Sequence, residues 1–285
     1  MKKLFLILLC LPLLVFSQDQ KRLALVIGNA NYDDGKLKNP VNDALLIAKT
    51  LDSLGFDILL DTNIVNKMEF EEAIIEFGDK RESYDVGFIY YAGHGMQIDG
   101  QNYLLPTKVD FQKEKDVIIK ALNVQTIMLY LTDISDQVNI LVLDACRDNP
   151  FEENWNAMSR SFGGKGSGLA KIVAPTGTLI AYSAYEGKTA PDGEGSNSVY
   201  SLSLAKNMLL KDIPIDQVFR NVRTEVRETT NYTQSPVEET QLTGDGFYLL
   251  RSDFKDEFKQ IDLSFQEKDY HDVLVQLSEI LANQP

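Results

Sequence analysis

The segment Val86–Gly95, VGFIYYAGHG, is a run of strand-forming residues that ends in a histidine between two glycines. A second segment, Leu141–Asp148, has the sequence LVLDACRD and places a cysteine after a similar apolar run. Uncharged runs of this kind are typical of strands buried on both faces of a parallel sheet. Parallel strands end at the same edge of their sheet, so we expect His94 and Cys146 to lie close together. The pair predicts a thiol hydrolase.

Few other residues compete for these two roles. The chain has two histidines and two cysteines, and the second member of each kind is His271 or Cys10. Cys10 lies in an apolar leader, which leaves Cys146 as the only thiol predicted in the mature chain. A lone cysteine can also be a small buried apolar residue. The position of His94 and Cys146 at two strand ends favours catalysis, whereas His271 is interpreted as a surface or packing residue.

The first residues of the chain have the pattern of a signal peptide. Lys2 and Lys3 precede an apolar run that ends before Ser17. At about 13 residues, this run is shorter than the roughly 20 residues that span a bilayer. We therefore predict an exported protein, periplasmic or secreted, with no stable membrane anchor after cleavage. The predicted boundaries are 1–17 for the signal peptide, 18–252 for one peptidase domain and 253–285 for a helical C-terminal tail.

The charge of the chain limits its partners. The 28 basic and 42 acidic residues give a formal net charge of -14. This balance argues against nucleic acid as a partner, because phosphate binding needs an accessible basic surface. It favours solubility and could attract basic substrates. The composition does not indicate an oligomeric state.

Strands and helices are predicted to alternate along the chain. The predicted strands are Arg22–Gly28, Phe56–Leu60, Val86–Ala92, Val138–Asp144, Thr178–Ser183 and Phe247–Leu250. Helices are predicted at about 40–54, 66–82, 121–131, 197–210 and 214–230, with a small hairpin at 96–105. This order predicts an α/β fold with a mostly parallel six-stranded sheet and helices on both faces. The long glycine-rich segment Arg147–Pro175, which follows the cysteine, is typical of a functional or disordered loop.

A thiol hydrolase needs a nucleophile, a proton carrier and hydrogen-bond donors for the oxyanion. Cys146 would be the nucleophile, and His94 would deprotonate it or protonate the leaving amine. The backbone amides of Gly95 and Cys146 are the predicted oxyanion donors. The sequence shows no third member of a triad. A dyad is sufficient for a thiol, which is more acidic and more nucleophilic than a hydroxyl.

These motifs resemble the caspase-like superfamily of cysteine peptidases. YAGHG at 91–95 is followed about 50 residues later by DACR at 144–147, which is the spacing of the caspase histidine and cysteine. Caspases have glutamine and glycine where this chain has Asp144 and Asp148. The acidic residue before the cysteine resembles metacaspases, paracaspases and bacterial orthocaspases, which cleave after arginine or lysine. The resemblance covers about Arg22 to Leu250 and implies the caspase-hemoglobinase fold.

Two carboxylates are the candidates for substrate selection. Alternate residues of a strand share a face, so Asp144 projects on the same side as Cys146 and could bind a basic side chain before the scissile bond. The resemblance adds Asp43 as a second acidic pocket residue. Each has a structural alternative, Asp144 as a hydrogen-bonded carboxylate at the strand end and Asp43 as a helix-start carboxylate. Ala92 replaces a serine that metacaspases often have near their histidine.

The resemblance also bears on activation and cofactors. Family members are often activated by cleavage of the loop after the cysteine, which makes Arg160, Lys165 and Lys171 candidate self-cleavage sites. Many metacaspases require calcium, but this chain has no compact acidic loop like theirs. The sequence therefore predicts no metal site and no required cofactor, and it is compatible with Ca²⁺ activation.

The predicted partners are protein or peptide substrates with basic residues. Two alternatives keep the fold but change the function. In one, the same chemistry acts on a different residue before the scissile bond. In the other, the chain is a catalytically silent interaction module.

Overall fold

The computed structural model describes the chain over residues 20–131, 137–146, 169–184, 195–244 and 246–252, and at residues 271, 274, 275 and 278. The predicted signal peptide, Arg160, Lys165 and most of the predicted tail lie outside the described residues. All the predicted site residues except Arg160 and Lys165 lie within the described residues. Cys146 is described as the last residue of a strand.

A six-stranded sheet forms the centre of the described part. Its strands are β1 (Arg22–Gly28), β2 (Phe56–Thr62), β3 (Val86–Ile98), β6 (Val138–Cys146), β7 (Thr178–Tyr182) and β8 (Val237–Thr240). They are ordered β2-β1-β3-β6-β7-β8. The first five run parallel, and β8 is antiparallel to β7. The predicted α/β class with a mostly parallel six-stranded sheet is confirmed.

Helices cover both faces of the sheet, because both faces of its central strands are apolar. One face packs against α1 (Pro40–Ser53), α5 (Val199–Met208) and α6 (Ile215–Thr229). The other face packs against α2 (Lys67–Arg81) and α4 (Val124–Leu129). Successive strand residues point to opposite faces, so the neighbours Tyr90 and Tyr91 belong to the two different core layers.

The third strand is longer than predicted. β3 does not end at Ala92 but continues to Ile98 and turns back into β4 (Gln101–Leu104), which forms the predicted hairpin. Asp99 and Gly100 have φ angles of 51° and 76°, as a two-residue hairpin turn requires. β3 therefore belongs to the parallel sheet in its first part and to the hairpin in its second. His94 lies at the junction between them.

The region after the hairpin differs from the predicted helix at 121–131. A short helix, α3 (Glu114–Lys120), comes first, followed by β5 (Leu122–Asn123), which pairs with β4, and only then by α4. The Asn123 side chain accepts a hydrogen bond from the Gln125 amide and so caps the start of α4. The apolar spacing could not reveal this start, because the buried Leu122 of β5 fits the same helical pattern.

The predicted last strand, Phe247–Leu250, is wrong. This segment makes one isolated bridge, between Pro214 and Tyr248, and the sixth strand is β8 instead. Phe247 and Leu249 are apolar because they are buried in the core beside α6. The sequence of β8, VEET, looks unlike a buried strand because β8 lies at the edge of the sheet.

Candidate active site

The two predicted catalytic residues lie opposite each other on neighbouring strands. β3 and β6 pair in parallel from Val86 with Val138 to His94 with Cys146, which is the last pair of this ladder. Neighbouring strands are about 4.8 Å apart. The histidine and the cysteine are thus adjacent at the carboxyl edge of the sheet, where the parallel strands end and the hairpin begins.

The His94 ring has a partner that the sequence analysis did not find. Its Nε2 atom lies 2.5 Å from the carbonyl oxygen of Gly35. A carbonyl can only accept a hydrogen bond, so Nε2 carries the hydrogen and Nδ1 is the nitrogen that exchanges a proton in the neutral ring. Gly35 lies in the loop after β1, where the Asn63 side chain accepts hydrogen bonds from the amides of Ala30 and Asn31. A backbone carbonyl leaves no side-chain signal in a sequence.

Gly95 follows His94 and lies in close contact with β6. The Leu105 amide donates to the His94 carbonyl, which makes Gly95 and Leu104 a non-hydrogen-bonded pair of the hairpin. The Gly95 amide is therefore directed away from β4. A Cβ atom on Gly95 would lie 2.9 Å from the Cβ of Ala145 and 3.1 Å from a methyl carbon of Leu169. Only glycine fits this approach without displacing its neighbours.

Asp144 is a buried carboxylate on β6, two residues before Cys146. Its Oδ2 atom accepts hydrogen bonds from the hydroxyl groups of Tyr90 at 3.2 Å, Ser198 at 3.1 Å and Ser201 at 2.9 Å. Ser198 is also the N-cap of α5, because its hydroxyl oxygen accepts from the Ser201 amide. The positive end of the α5 dipole thus lies beside Asp144 and favours its negative charge.

Asp43 reaches the same place from the other side. It lies in the first turn of α1 and is buried. Its Oδ1 atom accepts hydrogen bonds from the Asn197 side-chain amide at 2.8 Å and from the Ser198 backbone amide at 3.0 Å. Ser198 therefore connects the two carboxylates, with its backbone to Asp43 and its hydroxyl to Asp144. The structure brings together the two acidic residues that the sequence analysis placed in one pocket.

Burial and mutual repulsion change the acidity of both carboxyl groups. Burial is the main cause that raises the pKa of Asp43 to about 7, and the charge of Asp144 is the second. Burial also raises the pKa of Asp144, although the hydrogen bonds that it accepts from Ser201, Ser198 and Tyr90 act in the opposite direction. Neither carboxylate pairs with a basic side chain among the described residues. The pair is an anionic site without a cation in this part of the chain.

The predicted self-cleavage sites are described only in part, because Arg160 and Lys165 lie outside the described residues. Lys171 forms a 2.7 Å ion pair with Glu239. The residues on either side of Lys171 are held by their backbones, Ala170 through the Asn102 side chain and Ile172 through a bond from its amide to the Tyr182 hydroxyl. Cleavage at Lys171 would require these bonds to break.

Two general features concern metals and membranes. In the residues that the structure describes, no group of three or more His, Cys, Asp or Glu side chains is arranged to hold a metal ion. Across the same ranges, no helix is both long and apolar enough to cross a membrane. His271, the second histidine, is exposed.

Comparison with known proteins agrees with this architecture. Over 129 residues the chain is 31% identical to Mucosa-associated lymphoid tissue lymphoma translocation protein 1 of Homo sapiens, and 29% identical to its homolog from Mus musculus. These alignments cover 44% of this chain, and the chain spans only 15% of the length of either relative. A family model described as the caspase domain matches residues 21–247, which include both strand ends and the buried acidic pair. The chain therefore belongs to the caspase-like superfamily of cysteine peptidases.

Proposed function

We propose that this protein is a cysteine endopeptidase that uses His94 and Cys146 and cleaves after arginine or lysine. The observation that carries this proposal is the buried pair Asp43 and Asp144, which Ser198 joins, with Asp144 two residues before the cysteine on the same strand. A buried anionic pair that has no basic partner among the described residues favours a cationic ligand. Because Asp144 lies on the same strand as the nucleophile, we infer that this ligand is part of the substrate.

The proposed reaction follows from the chemistry of the two residues. The Cys146 sulfur, as the thiolate, attacks the carbonyl carbon of the scissile bond. The amides of Gly95 and Cys146 stabilise the resulting oxyanion. His94 donates a proton to the leaving amine as the carbon–nitrogen bond breaks, which leaves a thioester on Cys146. Water then attacks the thioester and gives one proton to His94. The carbon–sulfur bond breaks, the thiolate leaves, and the new carboxylic acid loses its proton to solvent.

The electrostatics of the pocket support a basic residue over an acidic one. A guanidinium or ammonium between Asp43 and Asp144 would remove their mutual repulsion, and arginine could donate to both carboxylates. A substrate aspartate would instead bring a third negative group to a site where burial already raises both carboxyl pKa values. The alternative in which the enzyme selects acidic residues is therefore disfavoured.

The proposal extends to export and activation. The leader pattern at 1–17 supports an exported enzyme, and the net charge of -14 supports protein or peptide substrates with basic residues. Self-cleavage in the loop after Cys146 fits the proposed specificity. The backbone contacts on both sides of Lys171 favour Arg160 or Lys165 as the cleaved residue. We expect activity without a cofactor, with calcium as a possible activator to be tested.

The test is hydrolysis of fluorogenic peptides that end in Arg, Lys or Asp, with calcium and with a chelator. Wild type should cleave the Arg and Lys peptides, and Cys146→Ala should cleave none. Asp144→Asn should lose about 100-fold in kcat/KM, because a hydrogen bond to a charged group is worth roughly 1.5–3 kcal/mol. Asp52→Asn is a matched control, because Asp52 is an exposed carboxylate on the same helix as Asp43. Mass analysis of wild type and Cys146→Ala reports self-cleavage.

The silent-module alternative predicts a different result. In that case no peptide is cleaved under either condition, and an iodoacetamide probe labels Cys146 no faster in the folded protein than in an unfolded control. Such a result would exclude the peptidase proposal. Preferential cleavage after aspartate would exclude the proposed role of Asp43 and Asp144.

A further inference from the structure

The His94 ring lies against a second aromatic side chain. The ring centroids of Tyr32 and His94 are 4.3 Å apart, and the ring planes are inclined by 51°. Tyr32 is 6% exposed and His94 is 5% exposed. Tyr32 comes from the loop after β1, the same loop that provides the Gly35 carbonyl for Nε2. The loop thus contacts both the edge and the face of the imidazole.

Two tyrosine hydroxyl groups hold the His94 backbone. The His94 amide donates to the Tyr32 oxygen at 2.8 Å, and the Tyr91 hydroxyl donates to the His94 carbonyl at 2.7 Å. The Tyr32 hydroxyl can donate in turn to the Leu105 carbonyl at 3.2 Å. The two phenol oxygens are 3.2 Å apart. The backbone N–H and C=O of His94 are therefore both bound by side chains, one from the loop after β1 and one from β3.

Gly93 makes this arrangement possible. Its φ angle is 155°, and a Cβ atom there would lie 2.6 Å from the Tyr91 oxygen and 2.7 Å from the Tyr32 oxygen. Any larger residue would displace the two hydroxyl groups. The glycine before His94 thus serves the hydroxyl pair, whereas the glycine after it, Gly95, serves the approach of β6.

We propose that Tyr32, together with Tyr91, is a positioning residue that holds the backbone and ring of His94 in the orientation needed beside Cys146. This inference rests on the proposed role of His94 as the proton carrier. The Gly35 carbonyl contacts one nitrogen of the imidazole, and the Tyr32 ring packs beside that contact. The Tyr32 ring limits the orientations open to the imidazole, and its hydroxyl oxygen fixes the His94 backbone amide. A misplacement of about 1 Å in a reacting group can cost roughly 100-fold in rate.

The test uses the scarcity of histidine in this chain. In a His271→Gln background, His94 is the only histidine, and its imidazole proton resonances can be assigned without ambiguity. The variants are Tyr32→Phe, which keeps the ring, and Tyr32→Leu, which removes it. Tyr103→Phe is the control, because Tyr103 is a buried tyrosine of the same apolar cluster as Tyr32. Each variant is assayed for kcat, KM, melting temperature and the His94 resonances.

The expected results separate positioning from folding. Tyr32→Phe should keep the ring-current shift of His94 but lower kcat roughly tenfold, with KM changed less than about twofold, because a buried amide loses its acceptor. Tyr32→Leu should abolish the shift and lower kcat about 100-fold. If Tyr32→Leu does not fold, Tyr32→Phe and Tyr91→Phe provide the test, and Tyr103→Phe should match the wild type in kcat.

Two results would overturn the inference. One is a kcat in both Tyr32 variants equal to that of Tyr103→Phe, and the other is a His94 resonance that Tyr32→Leu leaves unchanged. If the wild type cleaves no peptide, the proposed function fails separately, and the resonances together with the rate of Cys146 alkylation still decide whether Tyr32 positions His94.

Discussion

Binding of an arginine side chain should strengthen as the pH rises from 5 to 8. The pKa of Asp43 is raised to about 7, first by burial and second by the charge of Asp144. At pH 5 Asp43 is therefore protonated and cannot pair with a guanidinium as an anion. At pH 8 it is ionised, and both carboxylates can bind the cation. Arginine binding should thus release a proton at the lower pH.

The magnitude follows from linkage. If a bound guanidinium returns the pKa of Asp43 toward its ordinary value of 3.8, each pH unit below 7 weakens binding by a factor of about ten. Between pH 8 and pH 5 the affinity should then fall by up to about 100-fold. Incomplete recovery of the ordinary pKa makes the fall smaller, but the direction stays the same.

Calorimetry on Cys146→Ala measures this effect without hydrolysis or titration of the thiol. The ligand is a peptide that contains arginine before the scissile bond, and the same peptide with neutral citrulline is the control. Titrations in two buffers of different ionisation enthalpy count the protons released. Asp43→Asn in the same background should remove most of the pH dependence. Equal affinity at pH 5 and pH 8, or an unchanged pH dependence in Asp43→Asn, would refute the reasoning.

Three further predictions concern stability. Because the pKa of Asp43 is raised in the folded state, wild type should lose stability as the pH rises from about 4 to 7. Asp43→Asn should therefore be more stable than wild type at pH 8 by up to about 4 kcal/mol and similar at pH 4, as measured by urea unfolding. Arg81→Ala should lower the free energy of unfolding by about 3 kcal/mol or more, because the buried Arg81 guanidinium donates to the Asn139 side chain and to backbone carbonyls. An unchanged melting temperature would contradict this prediction. Gly93→Ala should cost about 1–3 kcal/mol of stability, because the new Cβ atom would collide with the Tyr91 hydroxyl. Gly100→Ala is the control, because Gly100 also has a positive φ but has open space around it, so this variant measures backbone strain without a collision.

The fold was largely predictable, because its main signals are local. Continuous apolar runs such as Arg22–Gly28 identify strands buried on two faces, and Pro40 marks the start of a helix. The exceptions are segments in which an apolar or polar pattern is compatible both with a strand and with a loop. Phe247 and Leu249 are apolar because they pack into the core, and β8 is polar because it lies at an edge. Composition alone does not distinguish burial beneath a sheet from membership in it.

The neighbouring positions of His94 and Cys146 were predictable from the sequence, whereas the groups that hold His94 and Asp144 were not. His94, Cys146 and Asp144 belong to short motifs with a chemical meaning. Their supports come from distant parts of the chain, such as the Gly35 carbonyl, and no spacing in the sequence relates them to the motifs. Ser198 was predictable only in part. Its position before a helix is typical of an N-cap, but its hydrogen bond to Asp144 depends on how the helix packs against the sheet.

The sequence by itself determined which reactive residue types the chain carries and that His94 and Cys146 follow two apolar runs, because both are read directly from the order of the residues. Only the tertiary structure decided which groups contact His94 and which groups set the charge of Asp43 and Asp144. The register of β3 and β6 brings His94 opposite Cys146, and the start of α5 brings Ser198 between Asp43 and Asp144. The physical reason is that pKa values and ring orientations depend on burial and on contacts between residues far apart in the chain, which exist only once the layers have packed.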